Sequence, residues 1–464
     1  MTDLHYLGLV ELGERIRKRE LSALEATRAQ LERIHTLDGQ LKSYAAVASE
    51  QALEAARKAD QAIAKGKHKG PLHGVPVAVK DLAHTKGIPT TAGMPIHRNF
   101  LAQRDATVVQ KLKEAGAILL GKLQMTEGAF SAHHPDIPSP VNPWGAEYWT
   151  GVSSSGSGVA TAAGLCYGSL GTDTLGSIRF PSTMNNLSGL KPTWGRVSRY
   201  GIFPLAETMD HVGPMTRSAK DSAAMLRAIA GEDPEDRTAL LFPVPDYLKT
   251  IQDGVKGLRI GIDRRMIEAN ADEDFQRVTA EAAKQFKRLG AKVTDIAFPP
   301  TDQIVRDAVQ LCATEAAAAH ADTYPARAKE YGPVLSGLLD LGRSANGVTI
   351  ALILARRSAF AGQVAALFNE VDLLLLPAMH EAAPTMTQLY ERRSDLEARY
   401  QRIRFTCPFN MSGSPTLTLP GGQTKKGMPV GFQLIGRHLD EATILRAGHA
   451  YQRATDWHRR RPPL

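Results

Sequence analysis

Cysteine is scarce in this chain of 464 residues: three only, Cys166, Cys312 and Cys407, widely separated. That excludes a disulfide framework and a zinc site built from close ligand pairs, and it points to a reducing compartment. Long apolar runs are also missing. The N-terminal stretch MTDLHYLGLVELGERIRKRE alternates charged with apolar residues and lacks a signal-peptide core, and apolar runs such as Leu373 to Ala378 are short. No stretch is read as a membrane span, so a cytoplasmic protein with no membrane partner is expected. Clustered positive charge is scarce as well. The net charge is +8, but the cations are spread out, with a tight run at Arg459, Arg460 and Arg461. Such a run reads as a solvated tail, and no nucleic-acid partner is expected. Metal motifs are missing too: His133 and His134 are adjacent, where two rings rarely converge on one ion, and no HExxH occurs.

What is present is enough apolar material for a large core, with 43% hydrophobic and 22% charged residues. From Leu7 to about Lys65 apolar residues recur at helical spacing, as in Leu21, Leu24, Leu31 and Ile34, with Ser22 available as a cap. At Pro71 the texture changes to turn residues and then a valine-rich strand, Val75 to Val79, that ends at Lys80. ATVVQKLKEAG followed by AILLG repeats a helix-then-strand alternation, which predicts α/β units on a largely parallel sheet. Further strands are expected at Leu258–Ile262, Ala291–Ile296, Asp372–Leu376 and Pro429–Ile435, and a mainly helical, Ala-rich region at 300–370. No linker, repeat or low-complexity tract cuts the chain.

Two glycine patterns imitate nucleotide sites. Gly116 to Leu123 has the GxxxxGK spacing, but Leu123 stands where a Ser or Thr should bind Mg²⁺, and the loop itself reads as an apolar strand. Gly156-Ser-Gly158 opens a helix but lacks the third glycine of a dinucleotide fingerprint.

The informative segment is Tyr148 to Leu190, whose 43 residues carry two charges, Asp173 and Arg179. A Ser/Gly run by itself reads as a flexible loop. The lack of charge argues for burial, and the small-residue helix that follows sets hydroxyls and backbone N–H groups at a helix N-terminus, where an anion or oxyanion is stabilised. A serine nucleophile needs a base. His211 beside Asp210 is a poor triad, because adjacent side chains point apart. Lys80, at the end of a buried strand, is a better one: desolvation would lower its pKa, and a fall of about three units raises its neutral fraction at pH 7 from about 0.04% to roughly a third.

The run TGVSSSGSGVATAAGLCYGSLGTDTLGSIRFPSTMNNLSGLKPTWGRVSRYG resembles the Gly/Ser-rich signature of the amidase signature family. The likeness extends to PLHGVPVAVKDL, GAILLGKLQMTE, Asn142-Pro143-Trp144, Met209 to Met215, VDLLLLPA, NMSGSPTLTLPGG and GMPVGFQLIGRHLDEATIL. The resemblance covers nearly the whole chain. It implies one large domain over 1–464, with an N-terminal helical region at 1–65 and a variable helical substrate-pocket region at 300–370. The implied fold is α/β, a mixed, mostly parallel twisted sheet wrapped by helices. It further implies Lys80, Ser153 and Ser177 as catalytic residues, the first serine preceded by a cis peptide bond and the second the nucleophile, 24 positions apart. The oxyanion hole would be formed by Thr174, Leu175, Gly176 and Ser177, and the substrate would meet Met125, Gly151 and Phe180. The implied chemistry is acyl transfer to water from a small amide, with no metal and no organic cofactor, in a chain expected to form a homodimer. Asp173 and Arg179 read as mutual structural partners.

Three positions depart from the family pattern: Val152, Ser155 and Leu175 each replace a glycine. Phe180 and Leu175 place apolar bulk around Ser177, which favours a small, neutral, largely apolar substrate. The alternative is the A subunit of a tRNA-dependent glutamine amidotransferase, where the position of Phe180 tends to be polar.

Overall fold

The N-terminal helices form as their apolar spacing requires. Helix α1 (Leu9–Arg17) buries Leu9, Leu12 and Ile16 on one face. Ser22 starts α2 (Ala23–Leu41): its hydroxyl accepts the Glu25 N–H while the Glu25 carboxylate accepts the Ser22 N–H. Between α2 and α3 (Ser49–Ala64) lies a short strand that the helical reading of 1–65 overlooks, β1 (Tyr44–Val47). Its four residues are alternately half-buried and exposed, too short a pattern to stand out from the flanking helices, and it is fixed by pairing antiparallel with the sheet.

The computed structural model describes residues 4–393 and 395–464. The remaining strands are β2 (Pro76–Lys80), β3 (Ile118–Leu123), β4 (Gly168–Asp173), β5 (Ser188–Lys191), β6 (His211–Thr216), β7 (Arg259–Ile262), β8 (Lys292–Asp295), β9 (Leu373–Pro377), β10 (Thr416–Gln423) and β11 (Pro429–Gly436). All eleven join one sheet in the order β1-β3-β2-β4-β6-β5-β10-β11-β9-β7-β8. Helices α4 (Thr107–Glu114), α5 (Ser155–Ala162), α6 (Arg179–Met184), α7 (Ala219–Ile229), α8 (Arg264–Asn270), α9 (Glu273–Arg288), α10 (Asp302–Ala319), α11 (Pro333–Arg343) and α12 (Gly347–Leu367) surround it. A single apolar cluster runs from Leu7 to Tyr451, which makes the protein one α/β domain with a mixed sheet.

The sheet is less parallel than expected. Only β2 with β3, β2 with β4, β7 with β8 and β7 with β9 run parallel; the six other pairings are antiparallel. The helix-then-strand alternation that predicts parallel crossovers holds in the two flanks. The centre is built from β4, β6, β5, β10 and β11, each antiparallel to the next.

Of the two imitations of nucleotide sites, Gly116 to Leu123 is the entry to β3, and Lys122 is buried there against Asp81 at 2.9 Å. Gly121 lies so close to β1 that a Cβ would stand 2.1 Å from the Ala46 carbonyl oxygen. The region 300–370 is helical as expected, as α10 to α12. Helix α12, however, is long and apolar enough to cross a membrane, which the search for uninterrupted apolar runs does not reveal. Arg356 and Arg357 interrupt it and tie it to the body, the first to Asp307 at 2.7 Å and the second to the Met411 carbonyl at 2.9 Å.

Candidate active site

Strand β2 is buried throughout, and its last side chain is Lys80, 1% exposed. Strand β4 runs parallel to it, pairing Ala78 with Ser169 and Val79 with Leu170, so both strands deliver their C-terminal ends to the same edge. There Lys80 Nζ donates to Ser153 Oγ at 2.7 Å and to Thr172 Oγ1 at 2.8 Å. Burial lowers the Lys80 pKa from its ordinary 10.5 to about 7, against the opposing pull of Asp210 and Asp173. Asp81, the next residue in the chain, is paired with Lys122 and not with Lys80.

Ser153 lies just before α5 and is 1% exposed. The peptide bond Val152–Ser153 is cis, and the Ser153 carbonyl accepts the Thr126 N–H at 3.2 Å. Ser154 Oγ donates to the Thr172 carbonyl at 3.2 Å, so the serine loop is stitched to β4. Gly151 makes this closeness possible: its φ is +76°, and a Cβ would stand 2.4 Å from the Pro181 N and Cα atoms. That contact sets the serine loop directly against the opening of α6, four residues beyond Ser177.

Ser177 lies in the loop between β4 and α6. The loop is held by Asp173, whose carboxylate accepts the N–H groups of Ile178 at 3.1 Å and Arg179 at 3.4 Å, and both Nε and Nη2 of the Arg179 guanidinium at 3.0 and 2.8 Å. Both residues are fully buried. Burial would raise the Asp173 pKa, but the Arg179 cation holds the carboxyl below its ordinary range. The expected mutual pairing is thus present. Asn410 completes it, donating to the Asp173 carboxylate and accepting from Arg179. On the other side Thr174 donates to Asp210, a carboxyl that burial raises to about 6, and Thr406 donates to the Leu175 carbonyl. The backbone N–H groups of Thr174, Leu175, Gly176 and Ser177, by contrast, meet no acceptor among the described residues. Gly176 adopts φ +140°, and a Cβ there would stand 2.5 Å from the Phe180 ring.

Across Tyr148 to Leu190 only Val152, Leu175 and Ser177 are partly exposed; every other residue is buried. Two of the three departures from the glycine pattern are therefore among the partly exposed residues, with Ser177. Both side chains also pack against the apolar core. The third, Ser155, is fully buried, and its hydroxyl lies 3.0 Å from His133 Nε2. Phe180 is 4% exposed and packs against the Trp149 ring at 5.8 Å, beneath Gly176. Met125 is fully buried, with its carbonyl against Gly93. Of the residues expected around the substrate, Gly151 and Phe180 lie beside the serine loops, and the side chains of both Phe180 and Met125 belong to the apolar core.

His211 takes no part in a triad. Its Nδ1 faces the Met209 and Asp173 carbonyl oxygens, and burial holds its pKa well below the ordinary value. Sequence reasoning misses Thr172, Thr406 and Asn410, and it weighs His133 only as a metal ligand. Thr172 and Asn410 fall in runs that carry the family likeness, but nothing in their spacing shows that they reach Lys80 and Asp173.

A profile of the Amidase family matches residues 25–445. The chain is 48% identical over 458 residues to AmiD of Mycobacterium tuberculosis (strain ATCC 25618 / H37Rv), an amidase by designation, covering 99% of this chain and 96% of that one. It is 40% identical over 483 residues to the A subunit of the glutamyl-tRNA(Gln) amidotransferase of Geobacter metallireducens (strain ATCC 53774 / DSM 7210 / GS-15), covering 98% and 99%. Among solved structures, native peptide amidase from Stenotrophomonas maltophilia superposes with a TM-score of 0.84 at 29% identity, covering 99% of this chain and 98% of that one. With a mixed eleven-stranded sheet and these likenesses over almost its full length, the chain belongs to the amidase signature family and is an amide-hydrolysing enzyme.

Proposed function

We propose that the enzyme hydrolyses a small, neutral, largely apolar carboxamide through an acyl-enzyme on Ser177. The observation that carries this reading is the buried contact between Lys80 and Ser153 at 2.7 Å, with the lysine held near neutrality. Neutral Lys80 accepts a proton through the Ser153 hydroxyl as Ser177 Oγ attacks the amide carbonyl. The unpaired N–H groups of Thr174, Leu175, Gly176 and Ser177 receive the oxyanion. Ser153 then passes the proton to the leaving amine, the C–N bond breaks, and water releases the acid by the reverse relay.

The apolar substrate class rests on Val152 and Leu175, which with Ser177 are the partly exposed residues of the segment, and on the Phe180 ring below Gly176. A polar acyl group buried there without partners would lose about 1–3 kcal/mol for each unsatisfied group. Ser177→Ala should lose nearly all turnover of benzamide or phenylacetamide, and Lys80→Ala the same. The double variant should lose little more, because members of one relay are not additive. Retention of more than about a tenth of the activity in Ser177→Ala, only about 1.4 kcal/mol, removes it as nucleophile.

A second reading is favoured by the 40% identity to the A subunit of an amidotransferase over nearly both full lengths. The chain purified alone distinguishes the two. Release of ammonia from glutamine but not from the neutral amides, or activity only once a partner chain is supplied, selects the amidotransferase reading.

A further inference from the structure

The arginine run at the C-terminus is exposed, as expected of a solvated tail, but its backbone is tied to the body. Asn186 Nδ2 donates to the Trp457 carbonyl at 2.8 Å and the Arg460 carbonyl at 3.2 Å, and the Arg460 guanidinium lies 4.2 Å from the centre of the Trp457 ring. Arg461 lies over the Tyr6 ring at 4.2 Å. The segment is thereby folded back against the N-terminal residues, and a partly open cavity of about 480 Å³ lies between them and the start of α7. This is within the range of roughly 300–1,000 Å³ that small-molecule sites occupy.

The lining is strongly one-signed. Arg217, Lys220, Arg453, Arg459, Arg460 and Arg461 contribute cations, and two carboxylates, Glu11 and Asp221, oppose them. Asp221 is already engaged: it accepts the Val10 N–H at 3.0 Å and the Ser218 hydroxyl at 2.8 Å. Arg459 also reaches Asp456, at 3.5 Å, a weak exposed pair. Two lining residues hold buried nitrogen atoms without a hydrogen-bond partner, Nε of Arg217 and Nδ1 of His458. The other guanidinium nitrogens of Arg217 are spent on the carbonyls of Thr161, Cys166 and Leu7, which fix the group in place. Several arginines and a lysine around one partly open volume make a receptor for several negatively charged oxygens.

We propose that this cavity binds a small multivalent oxyanion, a molecule bearing two or more phosphoryl or carboxylate groups. Ala162, at the C-terminal end of α5, and Asn185, just past α6, also line it. The site thus lies at the far ends of the two helices whose N-terminal ends follow Ser153 and Ser177, about 12 Å away along α5. It is separate from the amidase chemistry and does not rest on the proposed substrate.

Calorimetric titration of the full chain at low salt, with inorganic pyrophosphate and in parallel with citrate, tests the proposal and separates phosphoryl from carboxylate ligands. Saturable one-to-one binding of at least one probe is expected, with a dissociation constant on the order of 1 mM or below. Arg453→Ala and Arg460→Ala should each weaken it by about tenfold or more, while Arg265→Ala, on an exposed part of α8, should not. Thermal melts confirm that each variant is folded. Absence of saturable binding of both probes overturns the proposal, as does equal binding by the folded Arg453→Ala and Arg460→Ala proteins. Binding of tRNA through these arginines without binding of either small anion also overturns it, in favour of a nucleic-acid surface.

Discussion

Two stretches of this chain are nearly free of charge, and the fold treats them oppositely. Residues 148–190, with Asp173 and Arg179 as their only charges, are buried except for three partly exposed residues. Helix α12, with Arg356 and Arg357 as its only charges, turns both inward and leaves Val348, Leu352 and Leu354 at 73, 53 and 44% exposure. Low charge density therefore does not by itself report burial. What separates the two is the backbone. The first stretch is rich in glycine, and Gly151, Gly156, Gly171 and Gly176 each sit where a Cβ would stand less than 3 Å from a neighbouring atom. In α12 neither glycine, Gly347 nor Gly362, has anything within 4 Å of that position. Glycine marks burial where main chain must approach main chain, and it carries no such meaning on an open helix face.

The comparison is sharpest at the buried ion pair. Arg179→Met leaves Asp173 charged and uncompensated inside the protein, so a loss of about 3–5 kcal/mol is expected in urea unfolding, with activity lost as the Ser177 loop comes free. Removing the cation of α12 by Arg356→Met should cost less, because Arg356 is 40% exposed and the buried Asp307 keeps the Gln303 amide as a donor. Comparable losses would show that exposure does not govern the two pairs.

The next effect is on pH. Lys80 works as a base only when neutral, and its folded pKa near 7 lies below its ordinary value. Below about pH 7 the protonated form dominates, so kcat/KM should fall about tenfold per unit as the pH drops, and it should level off above it. A limb that instead rises toward pH 10 would mean that burial does not shift the lysine.

Gly151→Ala forces a Cβ into the Pro181 backbone at a positive φ, and a loss of more than about 2 kcal/mol is expected on thermal or urea unfolding. The smallest effect belongs to α12: Leu352→Gln, on its exposed face, should change stability by no more than about 0.5 kcal/mol and leave amide turnover unaltered. A large loss there would mean that the face is covered in the working protein.

Much of the site was legible in the residues. Strand β2 ending at Lys80, the burial of the Gly/Ser segment and the pairing of Asp173 with Arg179 follow from alternation, charge content and the cost of an unpaired buried ion. The family likeness pointed to Ser153 and Ser177 within that segment. Elsewhere the local signal was too weak. Strand β1 has four residues, and its hydrogen bonds come from β3, more than 70 positions away. The antiparallel centre of the sheet depends on pairings such as β5 with β10, which no local pattern encodes.

The sequence by itself determined the elements and the chemistry available to them: which runs are helices or strands, where charge is missing, and which hydroxyls and which amine lie beside those gaps. These are properties of neighbouring residues and need only local spacing. The tertiary structure alone decided which of them meet. Lys80 gains Ser153 and Thr172, Asp173 gains Asn410, Leu175 gains Thr406, and the C-terminal arginines gain a cavity wall, through contacts that span from 73 to more than 200 positions. Each arises because parallel β2 and β4 end at one edge and because glycine lets loops touch. Such closeness is a property of the packed sheet and not of any segment within it.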